Sequence, residues 1–231
     1  MRVLTELIDL VLPADCLCCG RPGTAWCAAC QPSSIPRRVE HAGAPPTIAA
    51  GEYAEQLRTV LIGYKERGCR QVAGRLADYL TDAVDEASRL GGAVARPVLV
   101  PVPSRPAAAR SRGGDHVLRL AGLVARQTQL PLVRALALTG SVRDSANLTT
   151  EQRRANLAGR MTAAAPAGLG GLRPIVLDDI VTTGATLAEA GRALAVAGWP
   201  PAAAAVVAAT RLRRPPATPT PRSPDPRAPP W

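Results

Sequence analysis

The chain has 231 residues and a formal net charge of +10; of its 28 basic residues only Lys65 is a lysine, and phenylalanine is absent. That length accommodates one ordinary domain with an appendage and a core that stands without staples, and the 47% hydrophobic content excludes a wholly disordered chain. The charge is uneven: residues 1–104 sum to zero, 105–160 carry +7 and 213–231 carry +3, so an anionic ligand at the internal stretch competes with a solvated arginine-rich surface.

Taken in chain order, Val3, Leu4, Leu7, Ile8, Val11 and Leu12 fall at helical spacing, as a short amphipathic helix ending at Pro13. Glu6 and Asp9 interrupt the apolar region that a signal peptide needs. The longest apolar run is too short to span a bilayer. A cytoplasmic protein is expected, with no membrane partner.

Residues 13–38 form a cysteine-rich knuckle. Cys16 and Cys19, then Cys27 and Cys30, make two Cys-x2-Cys pairs. Four sulfurs from two tight turns meet the tetrahedral preference of zinc. Disulfides compete with this reading, but a reducing compartment disfavours them. Four closed ligands make the expected zinc structural. Adjacent Cys18 fits the pairing less well than Cys19, and Cys69 reads as an inert thiol.

Two helices follow within 54–90. One carries Tyr53, Leu57, Val60, Leu61 and Tyr64, the other Leu76, Tyr79, Leu80 and Val84. From Pro97 to Leu212, short β-rich runs (98–102, 132–138, 175–177 and 205–209) alternate with helical patterns at 115–127, 150–158 and 187–197. Such alternation predicts a parallel sheet with crossover helices. The expected organisation is a helix and double zinc-ribbon-like four-cysteine knuckle at 1–52, an α/β domain at 53–212, and a tail at 213–231. Eight of the tail's nineteen residues are proline, so it reads as disordered.

The most informative stretch is 175–186. An apolar strand run stops at Asp178 and Asp179, and Thr182, Thr183, Gly184, Ala185 and Thr186 lead into a helix. Ligands bind at the carboxyl ends of strands in open parallel sheets, and backbone N–H groups at a helix N-terminus suit a phosphate. Two carboxylates beside that phosphate point to a sugar phosphate: the acids on a ribose diol, the loop on the 5-phosphate, and magnesium as counter-charge. A plain strand-to-helix turn, capped by Thr186 with Glu189, is the competing explanation.

This segment resembles the phosphoribosyl pyrophosphate (PRPP) motif of type I phosphoribosyltransferases, and with the cysteine pairs the chain resembles the ComF family. Val100 to Arg105 is similar to the family's first sheet strand and pyrophosphate loop. Arg112 and Gly113 match the start of its Arg-Gly-Phe-Asn-Gln segment, and Leu148, Arg153, Asn156, Leu157 and Gly159 match a later stretch. Gly114, Asp115 and His116 stand where Phe-Asn-Gln is usual. The resemblance implies a type I phosphoribosyltransferase-like, Rossmann-like sheet with flanking helices. It implies that Pro103, Ser104, Asp178, Asp179 and residues 182–186 bind PRPP, that Asp178 and Asp179 hold magnesium with the substrate, and that Arg105, Arg112 and Arg153 stabilise the departing pyrophosphate. The activity implied is transfer of phosphoribose to a nitrogen acceptor, or else a non-catalytic role beside the DNA-uptake machinery in competence. Direct nucleic-acid binding is disfavoured by a charge-neutral knuckle and few aromatics. Because Lys65 lies far upstream, any cationic catalyst is expected to be arginine, and His116 is expected to be a surface or packing residue.

Overall fold

A computed structural model of the chain describes residues 15–90, 96–104, 114–139, 158–165 and 171–210. The expected N-terminal helix, the tail, and Arg105, Arg112 and Arg153 lie outside the described residues, as does the 150–158 helical pattern except for its last residue.

Seven strands and four helices make up the regular structure of the described residues: β1 Arg37–Val39, β2 Thr47–Glu52, α1 Glu55–Glu66, α2 Ala73–Leu90, β3 Arg96–Pro101, α3 His116–Thr128, β4 Leu136–Leu138, β5 Met161–Ala163, β6 Leu172–Val181, α4 Ala185–Val196 and β7 Ala203–Ala209. The main sheet has the order β1-β2-β7-β6-β3. Four of these strands are mutually parallel, and β1 is antiparallel at the edge. Leu132 adds a single parallel bridge on the outer side of β3, opposite Leu99. β4 and β5 pair separately. Thus the expected 132–138 run divides: its start touches the main sheet and its end belongs to the small one.

The pleat explains the layering. Leu99, Ile175, Leu177, Ala205 and Val207 project into one core with α1, α2 and α3, while Val98, Val100, Val176, Ala204 and Val206 project into the other with α4. All seven residues of β7 are buried, as befits a central parallel strand covered on both faces. The chain is therefore a mixed α/β protein with a mostly parallel central sheet. β1 and β2 precede residue 53 yet are built into that sheet. Their composition hides them, since Ala49, Ala50 and Gly51 carry no β-branched signal.

Connectivity fixes where a ligand crevice opens. From β3 the chain passes through α3 to Leu132, outward from the sheet centre; from β6 it passes through α4 to β7, the opposite way. Since α3 and α4 cover opposite faces, the carboxyl ends of β3 and β6 form the topological switch point. No helix among the described residues is long and apolar enough to cross a membrane.

Candidate functional site

The knuckle brings together the four cysteines that the spacing selects. The sulfurs of Cys16, Cys19, Cys27 and Cys30 all lie within 4.8 Å of one another. Cys19 and Cys27 are 3.7 Å apart, which matches the separation of about 3.8 Å that tetrahedral Zn–S bonds of about 2.3 Å impose. No disulfide joins the described cysteines. Cys18 is not one of the four: its sulfur lies 3.8 Å from the Gln56 carbonyl, and burial, then the neighbouring Cys16, Cys19 and Cys27 sulfurs, push its thiol up to about 11.

Acidity within the set is uneven. Burial opposes the Cys16 thiolate, but the amide N–H groups of Cys27, Cys19 and Cys18 outweigh it and bring this thiol down to about 6. The adjacent Cys19 and Cys27 sulfurs, with burial, push Cys30 upward. A divalent cation is what allows four such neighbours to be thiolates together, and zinc suits this donor set. The knuckle is seated on the helices by a Trp26–Tyr79 ring stack at 5.5 Å, a hydrogen bond from the Tyr79 hydroxyl to the Pro32 carbonyl, and Leu17. A Cβ on Gly63 would lie 2.6 Å from Leu17 Cδ1, so the Leu17 side chain packs directly on the bare backbone of α1 at this position.

At the switch point, β6 does not stop at the acids, as the sequence suggested, but runs through them to Val181. β3 leaves its side after Pro101, and Asp178 Oδ1 accepts the Asp179 N–H at 2.8 Å. Within a strand, successive side chains point to opposite faces. Asp179 faces α1 and α3, where it meets Lys65 and His116.

Asp179 is 2% exposed and well supplied with donors. Lys65 Nζ lies 2.8 Å from Oδ2 and 3.2 Å from Oδ1, His116 Nε2 lies 3.0 Å from Oδ2, and the Ile180 N–H reaches Oδ1 at 2.8 Å. Burial alone would raise its pKa, but Lys65 and His116 outweigh that and hold the carboxyl well below the usual range. Asp178 moves the other way: burial, then the Asp179 charge, push it well above the usual range against the pull of Lys65. The pair therefore consists of one firmly ionised and one reluctantly ionised carboxyl.

Two expectations are corrected here. Lys65, set aside for its distance in sequence, is the cation at the acidic pair. His116, read as a surface or packing residue, is 8% exposed and bonded to Asp179. Tyr64 supports it, donating its hydroxyl to the His116 carbonyl at 2.9 Å, and burial pushes that phenol up to about 12, so it stays a donor. Neither role was legible, because the partners lie 114 and 63 residues away.

Ser104, just past β3, reaches the same cluster. Its hydroxyl lies 2.8 Å from Asp115 Oδ1 and 3.3 Å from His116 Nδ1, and its N–H donates to Asp115 Oδ2 at 3.0 Å. Asp115 is also the N-cap of α3, accepting the Leu118 N–H at 3.0 Å. Pro103 precedes Ser104 in this half-buried segment.

The turn after β6 holds Thr182, exposed, and Thr183, half-buried, with Gly184 as the N-cap of α4. Ala185 opens the helix and Thr186 follows, half-buried. The proposed Thr186–Glu189 cap is not what these residues form. Glu189 instead accepts the Met161 N–H at 3.0 Å and two Arg192 bonds at 2.7 and 2.8 Å. Gly184 has φ +74, and a Cβ there would meet His41 Cβ at 2.3 Å. His41 thus roofs the turn, a neighbour that no sequence pattern announces. Gly184→Ala is expected to cost about 2 kcal/mol through left-handed strain and this clash, read as a lowered thermal midpoint of at least several degrees.

The described site thus unites Ser104, Asp178, Asp179 and the 182–186 turn across β3 and β6. Fold and site define a mixed α/β protein whose N-terminal cysteine cluster could bind a metal such as zinc. No family model matches the chain, and no curated protein matches it.

Proposed function

We propose that the protein binds PRPP or a closely related phosphorylated sugar at the β3–β6 crevice and, with magnesium brought by the pyrophosphate, transfers phosphoribose to a nitrogen acceptor. The observation that carries this reading is the turn at 182–186, at the head of α4, directly after an acidic strand end at the switch point of a parallel sheet. The turn at 182–186 presents N–H groups at the head of α4, and these suit the 5-phosphate. The resemblance assigns the pyrophosphate end of the same ligand to the segment that begins at Pro103 and Ser104. Asp178, buried at the same strand end, is the acid that this reading assigns to a ribose hydroxyl. The type I phosphoribosyltransferase fold and the ComF family are the resemblances consistent with this arrangement.

The chemistry asked of the chain is modest. The C1–oxygen bond to pyrophosphate breaks, the acceptor nitrogen forms the new bond to C1, and the leaving group takes the electron pair. Magnesium would supply charge neutralisation on that leaving group. The protein holds the sugar by its phosphate and hydroxyls and keeps donors around the departing oxygens. The arginines at 105, 112 and 153 are the side chains that the resemblance assigns to that task.

Calorimetric titration with PRPP and magnesium tests the proposal. The native chain is expected to bind, and Asp178→Asn to bind about tenfold more weakly, the loss of roughly one charged hydrogen bond. No heat of binding with the native chain would end this reading. Binding without pyrophosphate release, across a panel of bases and amines, would make the protein a PRPP-binding partner and not a transferase.

A further inference from the structure

We propose that Ser104, His116, Asp179 and Lys65 form a positioning relay, in which Asp179 is a hub that sets the Ser104 loop and is not itself a ligand group. Lys65 and His116 are its positioning residues.

Saturation of the Asp179 carboxylate is the first argument. Oδ1 accepts from the Ile180 N–H at 2.8 Å and from Lys65 at 3.2 Å, His116 Nε2 lies 3.0 Å from Oδ2, and the same Lys65 Nζ stands 2.8 Å from Oδ2. A carboxylate offers about four lone-pair directions, and these three partners already engage both oxygens. To bind a sugar hydroxyl or cation as well, Asp179 would have to give up a charged partner inside a buried site.

The bridge made by His116 is the second. Its Nδ1 lies 3.3 Å from the Ser104 hydroxyl, which donates to Asp115 at 2.8 Å, and its Nε2 lies 3.0 Å from Asp179 Oδ2. One imidazole thus spans both contacts, so His116 ties Ser104 after β3 to Asp179 on β6. Lys65, from α1, anchors the far side of the same carboxylate. Around this chain stand Tyr64 at the His116 carbonyl, Asp115 at Ser104, and Asp178 next in the strand.

One consequence separates a relay from four independent contacts. Ser104 should respond to Lys65, the two being linked among the described contacts through Asp179 and His116. Amide hydrogen exchange of the full chain reads this without any ligand. Lys65→Met and His116→Ala are each expected to speed exchange of the Ser104 amide about tenfold, with the double variant little faster than either. Lys65→Arg, which keeps the charge, should stay within about threefold of native. Leu194→Ala, a cavity in the opposite core, controls for lost stability and should leave the Ser104 amide within about twofold of native.

The relay is overturned if Lys65→Met leaves the Ser104 amide within about twofold of native, or if Leu194→Ala speeds it equally. A second arm rests on the phosphoribosyl reading above. Lys65→Met should weaken magnesium pyrophosphate binding about tenfold while ribose 5-phosphate affinity changes by less than about threefold. Equal weakening of both probes would count against the relay. If the native chain binds neither probe, the phosphoribosyl reading falls, and the exchange result still decides the relay.

Discussion

Stripping metal from the Cys16, Cys19, Cys27 and Cys30 cluster, or replacing Cys27 with serine, is expected to lower the thermal midpoint by on the order of 10 °C. Four sulfurs within 4.8 Å of one another suit a shared cation, whose removal would let them relax apart. Relaxation would release the Trp26–Tyr79 stack and withdraw Leu17 from Gly63. Both contacts bind the knuckle to α1 and α2, so the loss reaches the main core. Calorimetry before and after chelation measures it, and zinc added back should restore the transition. Metal analysis completes the test: about one zinc per chain is expected for a four-thiolate site, and less than half of that, with titratable thiols, would remove the assignment.

Lys65→Met is the second large effect, an expected loss of about 2–3 kcal/mol at neutral pH. That figure is the cost of orphaning a buried charge, discounted because the lysine side chain is about one-third exposed (32%). Its pH dependence has a definite sign. In the native protein the Asp179 pKa is depressed, so its contribution is present above the unfolded value of about 3.9 and is lost as pH falls through the lower folded value. Without the ammonium, burial weighs more heavily and the variant's Asp179 takes up a proton more readily. The gap between native and Lys65→Met should therefore be widest near neutral pH and narrow steadily as pH falls through the acid range, closing only as pH approaches the low folded value of native Asp179. Chemical denaturation at several pH values checks this. A gap independent of pH would place the effect in packing along the lysine stem.

Much of the fold could be read directly because its signals are local. The helical faces of α1 and α2 carry their buried residues at the predicted positions, Leu57, Val60, Leu61 and Tyr64, then Leu76, Tyr79, Leu80 and Val84. β7 reads as an unbroken apolar run. The cysteine spacing alone picks the four sulfurs that meet. Local signals fail where neighbours decide. β2 is small and glycine-bearing, and is a strand because β7 offers it a ladder. β6 continues through two aspartates since Lys65 arrives from another element to neutralise one of them and His116 to bond it. Charge arithmetic pointed at arginines between 105 and 160, yet the cation at the described site comes from a segment with no net charge. Summed charge cannot show which single ammonium is buried against which carboxylate.

The pairing of β2 with β7 also orders events during synthesis. Thr47 lies beside Ala204, so the middle of the sheet stays open until the last of its strands emerges from the ribosome. Until then β2 lacks its partner on that side and β6 has only β3. Contacts so distant in sequence close late and slowly, and an unfinished sheet exposes apolar edges that invite association. The knuckle and α1–α2, whose contacts are closer in sequence, can settle first and shield one face of β2. Nascent chains arrested before residue 203 should therefore be protease-resistant in the cysteine-rich and helical segment only, with the ligand crevice still unbuilt.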